Sequence, residues 1–147
     1  AKHADIVMAE FAYQYYGLRI EAEYGHMDVK SGLASQDDLS FDGYYVTLGY
    51  FFDGEPHLKY SKKYVKFGGP SNLNGTWQVY ARYSALDLVN SETGNKGDVT
   101  MLGANYYFNF NWNVQMQYYD VNTQGPASAT KLESDGKGLA FRLNYRF

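Results

Sequence analysis

His26, Asp28 and Ser31 lie close together in the chain and carry the side-chain types of a nucleophilic hydrolase site. No Gly-x-Ser-x-Gly surrounds any serine, and a His two residues from an Asp on one strand is a common arrangement. The three are therefore read as a solvated strand end. Asp37, Asp38 and Asp42 offer carboxylates to Ca²⁺, but EF-hand spacing is absent and no metal site is expected. The chain has no Cys, which removes thiolate ligands and disulfides. No cofactor, catalytic centre or enzymatic activity is expected.

Two other groups of residues carry charge in a pattern. Glu10, Arg19, Glu21, Glu23, Arg82, Gln117, Arg142 and Arg146 each alternate with apolar neighbours. An unpaired charge in a dry core costs several kcal/mol, so the face they share must meet water. Its acids and bases nearly balance. Arg142 and Arg146 share one face, with Arg82 beside them if register allows, or they pair with Glu21 and Glu23. Charge selectivity stays open between these arrangements. Lys59, Lys62, Lys63 and Lys66 surround Tyr60 and Tyr64. Such a cluster raises the local concentration of anions, contacts lipid headgroups or a partner, or is a solvated hairpin.

The elements that position these residues show a period of two. The chain has 147 residues, net charge −3, 45% hydrophobic residues and mean hydropathy −0.49. One domain is expected, 1–147, and the weak unclustered charge makes nucleic acid an unsuited partner. No apolar run reaches the roughly 18 residues of a membrane helix. About seven segments instead alternate apolar and polar, in the manner of strands. They centre on Val7–Tyr15, Leu18–Asp28, Gly43–Phe52, Trp77–Ser84, Met101–Phe108, Trp112–Tyr119 and Leu139–Phe147. Tight turns at Tyr16-Gly17 and Asn109–Asn111 alternate with long polar loops. That asymmetry, with a polar and an apolar face, predicts an all-β, antiparallel transmembrane β-barrel. The competing architecture is a soluble antiparallel sheet with its polar face in solvent.

Aromatic positions separate the two. The outward residues nearest the short turns are Tyr15, Phe52, Trp77, Phe108, Trp112 and Phe147, with Leu18 the exception. Rings at one height form the girdle of a membrane barrel, where amphipathic side chains sit at the lipid–water interface. A soluble barrel has no reason to level them. Outer-membrane lipid and lipopolysaccharide are thus the expected surroundings, in a bacterial outer membrane. The connection 53–74 falls on the short-turn side yet is long. It is expected to be an extended periplasmic segment with a short hairpin of its own.

An odd strand number places the two termini on opposite sides, whereas such barrels normally keep both in the periplasm. Upstream strands are therefore expected in a larger barrel. The rival is a complete eight-stranded barrel that counts 57–67 as a strand, with a structural or surface-interaction role. That strand sets lysines on either face, at about 2–4 kcal/mol each if they meet the midplane of the lipid.

Three ordered segments carry a resemblance. Phe41–Glu55 (FDGYYVTLGYFFDGE), Gly75–Leu88 (GTWQVYARYSALDL) and Gly136–Phe147 (GKGLAFRLNYRF) resemble late-barrel strands of the phosphate-selective porins O and P. The lysine-rich stretch Glu55–Gly69 is similar to that family's long periplasmic connection. The resemblance implies a sixteen-stranded, homotrimeric outer-membrane channel. It would pass small solutes by passive diffusion, among them anions such as phosphate, and this chain would supply roughly its last seven strands. The family's selectivity residues lie largely in earlier strands and an inward-folded loop, so none is carried over.

Overall fold

The structure is a computed structural model; it describes residues 3–31, 38–63, 66–68, 70–71, 73–89, 94–125 and 133–147. Seven strands form one antiparallel sheet in sequential order: β1 (His3–Tyr15), β2 (Leu18–Lys30), β3 (Leu39–Phe51), β6 (Thr76–Asp87), β7 (Lys96–Tyr107), β8 (Trp112–Gln124) and β9 (Glu133–Tyr145). Two short strands, β4 (Tyr60–Ser61) and β5 (Lys66–Phe67), pair only with each other. The described residues of 57–67 therefore add no eighth strand to the main sheet. β1 and β9 are its two edges.

Most strands run past their expected ends, and mainly at the long-loop end. Polar residues such as His3, Lys96, Thr123 and Glu133 continue the ladder there. Backbone pairing, not apolar alternation, sets strand length at that end.

Alternation holds within the ladder. Along β3, Tyr44, Val46, Leu48 and Tyr50 are exposed, while Thr47, Gly49 and Phe51 between them are buried. On β6, Trp77 and Val79 are exposed and Thr76 and Gln78 buried. We call the covered face inner and the apolar, exposed face outer. From Tyr44 to Phe52 the outer apolar run rises about 26 Å along the strand, or about 20 Å at a tilt near 40°. That is about the height of a lipid-facing band.

Among the described residues of 53–74, here called the excursion, Leu58, Phe67 and Leu73 pack back onto the inner face at the short-turn end. Leu58 and Leu73 are buried against Phe51 and Tyr107 of the inner face, with Phe67 packed alongside. This small cluster is the buried hydrophobic core of the chain's described residues. His57 seals it: its ring meets Phe51 edge-on, with centroids 4.8 Å apart. The tight turn Tyr16-Gly17 abuts the same place. Phe51 N–H donates to the Gly17 carbonyl at 2.9 Å. A Cβ at Gly17 would overlap the Phe51 carbonyl oxygen, so close approach requires glycine there.

Candidate functional site

Register brings seven of the eight polar candidates onto the inner face; Arg146 lies just past the end of β9. Direct cross-strand partners share a face, so one row runs Arg19, Gly49, Tyr80, Gly103, Gln117, Ala140 across six strands. The next runs Glu21, Thr47, Arg82, Met101, Tyr119. Glu10 stands directly opposite Glu23. Arg142 pairs with Gln115, in the row that continues through Asn105 and Gln78.

The arginines are dispersed rather than clustered. Arg19 Nη2 lies 3.5 Å from Glu21 Oε2 on the same strand. The Arg82 guanidinium sits 3.8 Å over the Tyr45 ring, a cation–π contact. β7 and β8 separate Arg82 from β9, which carries Arg142 and is followed by Arg146, so the three do not form one patch. Arg142 is exposed, and Arg146 lies 5.8 Å over the Phe110 ring at the short-turn rim.

A tyrosine–glutamine network covers the wall between these charges. Gln117 joins the hydroxyls of Tyr80 and Tyr119. The Tyr80 ring lies over Gly103, where any Cβ would overlap it. Nearer the short turns, Asn105 Nδ2 donates to Gln78 Oε1 at 2.9 Å, and the Tyr107 hydroxyl donates to the same oxygen at 3.0 Å. Arg19, Glu21, Thr47, Arg82 and Asn105 border one cavity of about 360 Å³, roofed by Leu58, Gly68 and Pro70 of the excursion. The alternation located the face. Neither this roof nor the seating of Tyr80 on Gly103 had any signal along the chain, because both depend on register.

The excursion is held by polar contacts as well as apolar ones. His57 Nε2 lies 2.6 Å from Asp53 Oδ2, and its Nδ1 lies 3.1 Å from the Ser71 carbonyl oxygen. Partial desolvation works against the charged Asp53 carboxylate. The hydrogen bonds from His57 and from Glu55 N–H outweigh it and hold the Asp53 pKa below the usual carboxylate value. Lys59, Lys62 and Lys63 are exposed on the excursion. Lys66 belongs to β5, opposite Ser61.

The six girdle candidates are all exposed on the outer face or its rim. Neighbouring rings extend the row: Trp77 meets Tyr106, and Tyr106 meets Phe108, each at 4.8 Å between centroids. Trp112 meets Tyr145 at 4.5 Å. Tyr50 joins Phe52 at 5.7 Å. Tyr50, Tyr106 and Tyr145 stand two residues before Phe52, Phe108 and Phe147, so they are not the outward residues nearest the turns.

His26 Nδ1 lies 2.9 Å from Asp42 Oδ1, and Nε2 lies 3.1 Å from Asp28 Oδ2. Both ring nitrogens face carboxylates, which leaves no imidazole lone pair to activate a serine. Asp42 also accepts from the Tyr24 hydroxyl at 2.6 Å. Asp38 accepts from Ser31 N–H at 2.9 Å. These aspartates do not converge, and Asp37 lies outside the described residues. Among the described residues no group of three acidic, His or Cys side chains is placed to hold a metal ion.

Comparison with curated proteins returns no match. The family model for phosphate-selective porin O and P matches residues 1–147, the whole chain. A meander of long antiparallel strands, one face apolar and ringed and the other polar, is the architecture such a porin requires, and the chain belongs to the phosphate-selective porin O and P family.

Proposed function

We propose that this chain forms part of the wall of an outer-membrane porin through which small solutes, including anions such as phosphate, diffuse passively. The observation that carries this reading is the gathering of Arg19, Glu21, Arg82, Gln117 and Arg142 on one face of strands whose other face is apolar. The polar face lines water; the apolar face meets lipid, with Tyr15, Phe52, Trp77, Phe108, Trp112 and Phe147 at the interface. Family membership supports a channel over an enzyme and an outer-membrane location.

In this reading the short turns and the excursion lie at the periplasmic mouth. Lys59, Lys62, Lys63 and Lys66 place positive charge there, which raises the local concentration of anions. The wall closes with upstream strands into a barrel of about sixteen, a size that leaves an aqueous channel. Three copies associate, as the family resemblance implies. Lipid and the outer leaflet's lipopolysaccharide surround the outer face.

Planar-bilayer recording tests the proposal. The full-length protein should give discrete conductance steps, and a KCl gradient should give a reversal potential that reports its charge preference. Folded, inserted protein without conductance steps would overturn the channel and favour a filled barrel with a structural role. Crosslinking in outer-membrane vesicles should yield a trimer; a monomer would remove that part of the proposal.

A further inference from the structure

We infer that a recess on the inner face at the long-loop end binds small organic cations that carry an apolar body. The inference rests on the reading of the inner face as a channel wall and adds a solute class to it. Register defines the recess. One inner row runs Met8, Gly25, Gly43, Leu86, and the next toward the loops runs Ile6, Met27, Phe41. Rows nearer the short turns carry Glu23, Arg82 and Gln117; here the side chains are large, apolar and open. Ile6 is 64% exposed, Met8 59%, Leu86 51% and Leu88 39%. With Glu23 and Tyr45 these residues border a cavity of about 410 Å³. That volume lies in the range of small-molecule sites, roughly 300–1,000 Å³. An exposed apolar patch on a wall that meets water marks a contact surface. The outer face at the same height is polar, with His26, Asp42 and Asp87, so the recess lies beyond the lipid band at the long-loop mouth. β1 is an edge of the sheet. A strand pairing there would extend the wall of the recess, not roof it.

Shape and charge select the occupant. Gly25 and Gly43 stand directly opposite each other, and their missing side chains leave the floor low. A Cβ at Gly25 would meet nothing within 4 Å, whereas one at Gly43 would press on Leu86 Cδ1 at 3.1 Å. The open space is therefore over Gly25. Met8 and Met27 adapt to varied apolar shapes, and Phe41 offers a ring to a cation. On the side of the short turns, Glu10 and Glu23 stand directly opposite one another. Like charges so placed repel; a cation between them relieves the repulsion and an anion adds to it. The arginines of the neighbouring rows are engaged elsewhere: Arg82 lies over the Tyr45 ring, and Arg19 pairs with Glu21. Of the charged residues bordering the recess, His26 and Asp42 pair with each other at 2.9 Å, which leaves the Glu23 carboxylate to set the sign. A small inorganic cation gains nothing from the apolar walls, and an organic anion is repelled by the carboxylates. A cation with an apolar body uses both.

The test uses full-length protein in a planar bilayer, with benzyltrimethylammonium as the probe. In the millimolar range it should reversibly reduce the KCl current. Tetramethylammonium lacks the ring and benzenesulfonate reverses the charge; each should need about tenfold more for equal block. Glu23→Gln should weaken the block by about fivefold. Gly25→Leu fills the open space and should remove it. The outer-face change Val46→Ala should leave the block as in the parent. Absence of block, equal block by the three ions, or a block unaltered by Glu23→Gln or by Gly25→Leu would each overturn the inference. If Gly25→Leu does not insert, Glu23→Gln decides alone. If no channel opens, the porin reading fails separately. Saturation-transfer NMR with benzyltrimethylammonium in detergent micelles then decides: a ring signal lost in Gly25→Leu supports the site, and a signal retained or absent overturns it.

Discussion

The two faces of the same strands obey different physics. On the outer face, Leu48, Val79 and Leu102 are exposed although they are apolar. On the inner face, Thr47, Gln78 and Asn105 are buried although they are polar. A water-soluble sheet reverses this arrangement. The inversion is what the proposed barrel requires, with hydrocarbon on the outer side and water on the inner.

The largest expected effect comes from exchanging the two environments. Leu48→Arg puts a charge in the middle of the outer face and should destabilise the inserted protein by about 2–4 kcal/mol. Ser84→Arg, on the inner face, should cost less than about 1 kcal/mol and shift the reversal potential instead. Urea titration of protein refolded in lipid vesicles measures both. Equal costs would break the comparison.

Next comes the packing of the inner wall. Gly103→Ala forces the Tyr80 ring off its seat and should cost about 1–3 kcal/mol through overpacking. The double variant with Tyr80→Ala should recover most of that loss, which the same titration reads as a coupling.

A smaller effect concerns the excursion. Asp53→Asn weakens the bond to His57 and should loosen the packing by about 1 kcal/mol, seen as faster amide exchange at Leu58. Because Asp53 has its pKa lowered by folding, its contribution is fully present above the ordinary carboxylate value. It is lost as pH falls through the lowered value, below about 4. Parent channels should show a rise in conductance below that pH, and the Asp53→Asn variant should show a flatter profile. The smallest effect is at Arg82. Its replacement by Gln removes the stack on Tyr45, worth about 0.5–1 kcal/mol, and should move the reversal potential toward cation preference.

Much of this was legible along the chain. Val46, Leu48 and Tyr50 against Thr47, Gly49 and Phe51 set the period, and the seven strands follow from it. Glu21 and Arg82 are assignable to one face from that period alone. What is hidden depends on contacts distant in sequence. Leu58 and Leu73 are isolated apolar residues in a polar, lysine-bearing stretch, so nothing in their neighbourhood signals that they pack on Phe51 and Tyr107. Strand ends escape the apolar pattern where polar residues such as Lys96 and Thr123 continue the ladder. Arg82 and Arg142 carry no local mark that β7 and β8 hold them apart.

The central claim is that outer residues meet lipid and inner residues meet water. The chain contains no native cysteine, so single cysteines can be placed without background. Spin labels at positions 44 through 50 of the protein in lipid vesicles, read for collision with oxygen and with a water-soluble nickel chelate, test the claim directly. The account predicts oxygen access at 44, 46, 48 and 50, and nickel access or burial at 45, 47 and 49. Nickel access at 46 and 48, with no alternation, would contradict it.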